Sequence, residues 1–108
     1  MTENELFFAA KEAVKTLENH KKTLALAESC TGGLVSKLIT DVSGASAVYE
    51  GGVCSYSNSV KMKILGVKEE TLRTFGAVSE NTAREMSQGV RKALGADIGV
   101  GITGIAGP

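Results

Sequence analysis

Three side chains able to attack an electrophile stand in a row at Ser29-Cys30-Thr31, followed by Gly32 and Gly33. A hydroxyl or thiol becomes a strong nucleophile once a base takes its proton. The row follows an apolar run from Thr23 to Ala27 and precedes apolar residues at Leu34, Val35, Leu38, Ile39 and Val42, which recur with helical spacing. It is therefore a strand-to-helix turn. A helix start leaves backbone N–H groups without partners, and these hold anions or developing negative charge. Ser29, at the strand end, is the candidate nucleophile. Serine is also a favoured helix N-cap, but Thr31 is as good a cap and lies nearer the helix, which leaves Ser29 for other work. Cys30 fits either a thiolate nucleophile beside a helix start or a small apolar filler. With no histidine partner in view, the filler is favoured.

A base is the next requirement. Ser57 or Asn58 can cap a short helix running to Leu65-Gly66, and Lys61 falls in its first turn. A cation there opposes the helix dipole, and the dipole and burial both push a lysine toward the neutral amine that a general base needs. A solvated surface lysine is the alternative. Tyr56 stands near the end of the strand before it, predicted over Gly51–Ser57 with Val53, Cys54 and Tyr56 as its bulky members. Cys54 is expected in the core.

The elements that must position these groups follow from periodicity and caps. Thr2 and Glu5 have capping-box spacing, and Leu6, Phe7, Ala10, Val14 and Leu17 share one face of a helix reaching Asn19. Lys68 to Thr74 reads as helical, stopped by Gly76. Ser79 caps a helix with Ala83, Met86, Val90, Ala93 and Leu94 as its stripe and Gly95 at its end. Ile98 to Ile102 reads as a third buried strand. Alternating strands and helices indicate α/β layers. Gly99-x-Gly101-x-x-Gly104 matches the dinucleotide-binding fingerprint in letters only, because two of its glycines lie inside the strand. Gly99 and Gly101 are read instead as small residues that allow close packing. Thr103-Gly104 then forms a second strand-end loop. If the first and third strands are parallel neighbours, Ser29 and Thr103 face one cleft.

The 108 residues suit one domain, and 43% hydrophobic with 22% charged residues is ordinary for a globular chain. Twelve basic and twelve acidic residues give zero net charge, and aromatics are scarce, so nucleic-acid binding is not expected. No apolar stretch suits a membrane span, and two cysteines suggest reduced thiols and a cytoplasmic setting. One histidine and no cysteine cluster argue against a dedicated metal site.

Four stretches, in order, resemble the CinA C-terminal domain family: Ala27-Glu28-Ser29-Cys30-Thr31-Gly32-Gly33; Gly52 to Asn58 with Lys61 and Leu65-Gly66-Val67; Gly76-Ala77-Val78-Ser79; and Gly101 to Pro108. The resemblance implies a three-layer α/β/α fold with a mixed, mostly parallel sheet, here as a single domain over residues 1–108 that lacks its C-terminal portion. It implies an amidohydrolase converting nicotinamide mononucleotide to nicotinate mononucleotide and ammonia, with no metal and no cofactor. The family's catalytic group falls on Ser29 as nucleophile, Lys61 as base, and Tyr56 as proton relay or orienting group. Cys30, Thr31, Gly32 and Gly33 are expected around the substrate, with N–H groups of Thr31-Gly32-Gly33 as oxyanion hole, and Thr103 and Gly104 near the phosphate. The small-molecule substrate is the expected partner, with no nucleic acid and no membrane, and a homo-oligomer, a dimer, is expected. Two other readings stand beside it: a non-catalytic nucleotide- or phosphate-binding module, and, ranked last, a nicotinamide-dinucleotide oxidoreductase.

Overall fold

The computed structural model describes residues 1–105. Helix α1 (Glu3–Asn19) opens on the expected capping box, with the Glu5 N–H donating to the Thr2 hydroxyl and the Thr2 N–H to the Glu5 carboxylate. Strand β1 (Leu24–Glu28) and helix α2 (Leu34–Thr40) follow, then a short turn of 3-10 helix at Ala45–Ala47. Strand β2 (Tyr49–Cys54) leads through Ser57, which caps α3 (Asn58–Lys63) by accepting from the Val60 N–H. Helix α4 (Glu69–Phe75) ends at Gly76, α5 (Glu80–Leu94) runs from the Ser79 cap to Gly95, and β3 (Ile98–Ile102) closes the series.

The sheet has the order β2-β1-β3, and both pairings are parallel. All five residues of β1, at its centre, are buried. Side chains alternate along a strand, so Leu24 and Leu26 enter one core with Ala10, Val14, Ile39 and Val48, while Ala25 and Ala27 enter another with Leu65, Val67, Met86 and Val90. Helices α1 and α2 thus cover one face and α5 the other, which makes three layers. A strand covered on both faces reads as an unbroken apolar run, and β1 does.

Four expectations need correction. β2 runs over Tyr49–Cys54 rather than Gly51–Ser57, so Tyr56 lies outside it. Cys54 is exposed, not core, because β2 is a flank of the described sheet and its residues alternate between half-buried and exposed. β3 is not buried throughout: Ile98 and Val100 are 40% and 38% exposed. Helix α5 covers only the opposite, glycine face of that strand. On α1 and α5, Phe7 and Ala93 are exposed although the stripes include them, whereas the unflagged Thr82 is fully buried and donates to the Gly76 carbonyl at 2.7 Å.

The glycine face of β3 explains its composition. A Cβ on Gly99 would lie 2.1 Å from the Ser87 carbonyl oxygen, and one on Gly101 would lie 2.3 Å from that of Ala83. Both glycines sit within the strand and let α5 approach its backbone, so the dinucleotide fingerprint has no structural counterpart at these positions.

Candidate active site

Parallel pairing sets the carboxyl ends of β1 and β3 side by side, where open α/β sheets collect their functional groups. The Ser29 N–H donates to the Ile102 carbonyl at 3.0 Å, and the Ser55 N–H donates to the Glu28 carbonyl at 2.7 Å. Ser29 therefore leaves the sheet with its backbone pinned on one side, and the residue before it is pinned on the other. Six of the expected residues (Ser29, Cys30, Tyr56, Lys61, Thr103 and Gly104) line a cleft of about 300 Å³. Asn58, Ala77 and Val78 complete its walls. Thr103 donates its hydroxyl to the Ala77 carbonyl at 2.7 Å, which ties the loop after β3 to the loop between α4 and α5. Gly104 packs against Cys30: a Cβ there would lie 3.3 Å from its Sγ.

Lys61 is the deepest of these side chains, 1% exposed. Its Nζ lies 2.7 Å from the Ser55 carbonyl, 3.1 Å from the Tyr56 carbonyl and 3.2 Å from Ser29 Oγ. No carboxylate pairs with it among the described residues. Burial holds its pKa below the ordinary 10.5. The helix dipole is not the cause. With six residues, α3 is so short that Lys61 lies in its last turn.

The three contacts decide what a neutral amine would do here. A neutral Nζ has two hydrogens and one lone pair. Carbonyl oxygens only accept, so Ser55 and Tyr56 take the two hydrogens. The lone pair is left for the one neighbour that can donate, the Ser29 hydroxyl. The site is built so that losing the ammonium proton turns Lys61 into an acceptor aimed at Ser29.

Tyr56 contributes differently from expectation. Its carbonyl holds Lys61, while the residue is 85% exposed and its hydroxyl makes no hydrogen bond among the described residues. β2 has ended two residues earlier, and the chain has turned the ring out to the rim of the cleft.

The turn itself holds the largest surprise. Thr31 does not cap α2: its hydroxyl donates to Glu28 Oε1 at 2.6 Å, and α2 starts from Gly33, which has no side chain to cap it. The cap is Glu28. Its carboxylate, 1% exposed, accepts from the Val35 N–H at 3.0 Å and the Ser36 N–H at 2.8 Å. Burial alone would raise this carboxyl's pKa, but the hydrogen bonds from Thr31, Ser36 and Val35 outweigh it, and the group stays ionised to below its ordinary 4.5. Gly32 and Gly33 have φ of 63° and 103°, a left-handed backbone that bends the chain into α2 and that glycine adopts without strain.

The amides that Glu28 holds are not those expected as the oxyanion hole. Glu28 takes the Val35 and Ser36 N–H groups of α2, and the Gly32 N–H donates to the Ser29 carbonyl at 3.3 Å. The Thr31 and Gly33 N–H groups have no acceptor among the described residues, but Thr31, Gly32 and Gly33 are not among the residues lining the cleft. The Cys30 N–H, in the cleft wall beside Ser29, has no acceptor among the described residues. Glu28 stood in the sequence as the single charge ending an apolar strand, and that was the signal for it. A carboxylate in such a place must find donors.

Among the described residues no group of three or more His, Cys, Asp or Glu is placed to hold a metal ion. No described helix is long and apolar enough to cross a membrane.

Comparison with known proteins places this geometry in context. The family model described as CinA C-terminal domain matches residues 7–108. A "CinA-like protein" from Thermotoga neapolitana is 59% identical over 95 residues, covering 88% of this chain and 23% of the relative. A "Putative competence-damage inducible protein" from Thermoanaerobacter sp. (strain X514) is 60% identical over the same shares. The chain thus spans under a quarter of the length of these curated relatives. Among solved structures, the competence/damage inducible protein CihA from Agrobacterium tumefaciens superposes with a TM-score of 0.82 at 38% identity, over 85% of this chain and 56% of that one. A competence-damaged protein (CinA) superfamily protein from Escherichia coli gives a TM-score of 0.85 at 28% identity, over 90% and 57%.

Proposed function

This chain belongs to the CinA C-terminal domain family, and from that premise we propose that its cleft hydrolyses the carboxamide of nicotinamide mononucleotide, with Ser29 as nucleophile and Lys61 as base. One observation carries the reading: a buried lysine whose hydrogen-bond neighbours among the described residues are two carbonyls and the Ser29 hydroxyl. As an ammonium, Nζ donates to all three oxygens, which holds it in place without a carboxylate. A base for serine gains a lowered pKa and an aimed lone pair.

The reaction is an acyl transfer. Neutral Lys61 takes the Ser29 proton as Oγ bonds to the carboxamide carbon. The resulting oxyanion takes the Cys30 N–H, a donor of a kind worth about 3 kcal/mol. The Lys61 ammonium returns its proton to the leaving nitrogen, the C–N bond breaks and ammonia departs. Water, deprotonated by the same amine, then cleaves the nicotinoyl ester and frees Ser29. Carbonyls of Ser55 and Tyr56 keep Nζ in place throughout. The Tyr56 ring, Asn58 and Val78 at the rim meet the rest of the nucleotide, with Thr103 and Gly104 on the other wall.

The test is ammonia release from nicotinamide mononucleotide, measured on this chain and on a C-terminally extended version. Ser29→Ala and Lys61→Met are each expected to lower kcat by about a thousandfold or more. kcat/KM is expected to rise with pH through a midpoint below 10.5, because the active form is the neutral amine and burial lowers its pKa. Undiminished ammonia release by Ser29→Ala refutes the mechanism. Saturable binding of the nucleotide without release favours a binding module.

A further inference from the structure

We infer that Glu28 is a positioning residue for the Ser29–Lys61 pair. The inference rests on the proposed roles of those two residues and adds a third that acts through them. Glu28 touches neither the cleft nor the reacting atoms, yet it holds both partners. Its carboxylate gathers the Thr31 hydroxyl and the Val35 and Ser36 N–H groups, so the turn that begins at Ser29 closes onto α2 around a single buried anion. Its carbonyl accepts from the Ser55 N–H, and the Ser55 carbonyl in turn accepts from Lys61 Nζ at 2.7 Å. The side chain of Glu28 fixes where Ser29 stands, and its main chain fixes where Lys61 finds its nearest acceptor.

A glutamine cannot do this work. It presents one oxygen and one NH2 group, and the NH2 cannot accept from an amide. Either the Ser36 N–H or the pair on Oε1 is left facing a donor, and the turn must shift to relieve it. A displacement of a nucleophile by about 1 Å costs on the order of a hundredfold in rate.

The experiment reads Ser29 directly. Phenylmethylsulfonyl fluoride sulfonylates an activated serine: the Oγ–S bond forms, the S–F bond breaks, fluoride leaves and the base takes the hydroxyl proton. Labelling of Ser29 is followed by mass spectrometry at a temperature where circular dichroism shows each variant folded. Glu28→Gln is expected to slow labelling by about tenfold or more. Thr31→Val, which removes one of three donors and preserves the fold, is expected to slow it by about two- to fivefold. Glu85→Gln serves as the matched control, since Glu85 caps α4 away from the cleft, and it is expected to label at the wild-type rate. A folded Glu28→Gln that labels at the wild-type rate overturns the proposal. So does equal slowing in Glu85→Gln, which would mean a general loosening rather than positioning. Should Glu28→Gln not fold, an unslowed Thr31→Val overturns it instead. Labelling needs no substrate, so a chain that labels as expected but releases no ammonia refutes the substrate assignment and leaves the role of Glu28 standing.

Discussion

Glu28 and Glu85 do one job in two places. Each reaches to the start of a helix and accepts from backbone N–H, one group for Glu85 and two for Glu28, and from a threonine hydroxyl. Glu85, on α5, accepts from the Lys68 N–H at 2.9 Å and the Thr71 hydroxyl at 2.7 Å, at the start of α4. Glu28, on β1, accepts from two N–H groups and the Thr31 hydroxyl at the start of α2. Burial alone would raise both carboxyl pKa values, and the donors outweigh it, so both lie below 4.5; Glu85 has the Lys68 charge as a further help. The settings differ. Glu28 is buried in the sheet one residue before Ser29, whereas Glu85 is half-buried on a helix remote from the cleft. The same cap holds a surface helix in one region and a reactive turn in the other. What a cap does for function is set by what the capped segment carries, and what it does for stability is set by how many donors it leaves stranded when removed.

The largest expected difference follows from that second point. Glu28→Ala strands two backbone N–H groups and a hydroxyl in a part-buried site, at about 3 kcal/mol or more, since hydrogen bonds to a charged group contribute about 1.5–3 kcal/mol each and are not additive. Glu85→Ala frees one exposed N–H and the hydroxyl of Thr71, two donors against three, at about 1–2 kcal/mol, the usual range for a lost cap. Urea unfolding of the two variants measures both. Equal losses would mean that burial of Glu28 adds nothing to an ordinary cap.

Acid sharpens the comparison next. Each carboxyl has a lower pKa folded than unfolded. As pH falls, the unfolded chain takes up the proton first. The stability each group contributes is therefore complete above about 4.5 and is lost as pH drops through its depressed folded value. Glu28→Gln and Glu85→Gln should each flatten unfolding free energy against pH in that acidic window. The larger flattening is expected for Glu28, with three donors against two. A wild-type-like acid slope in Glu28→Gln would place the acid sensitivity elsewhere.

Local signals made much of this legible in the sequence. The apolar run of β1, the capping box at Thr2, Ser79 before α5, Gly95 after it and the paired glycines of β3 each report a backbone or packing need that the residue itself reveals. The cleft could be read as far as parallel strands bring Ser29 beside Thr103. What escaped depends on contacts distant in the chain. Glu28 caps amides seven and eight residues away, in place of the nearer Thr31. The side of Tyr56 that meets Lys61 depends on where β2 ends. Cys54, Ile98 and Val100 are exposed because of their place in the strand order, which no window of residues reveals. Lys61 was found for a partly wrong reason: burial lowers its pKa, and α3 is too short for the dipole argument.

The smallest effects separate the two regions most cleanly. Thr31 and Thr71 each donate one hydroxyl to a capping carboxylate, at 2.6 Å and 2.7 Å. Valine keeps the branched shape and removes the donor, and the carboxylate retains its backbone partners in both cases. Each substitution should therefore cost about 1–2 kcal/mol, and the two losses should agree closely. If Glu28 is only a cap, Thr31→Val and Thr71→Val remain indistinguishable in every other measurement. If it also sets Ser29, the two variants match in urea and part in reactivity: Thr31→Val slows sulfonylation of Ser29, and Thr71→Val leaves it unchanged. Equal stability with unequal reactivity is an outcome that loosening of the fold cannot produce.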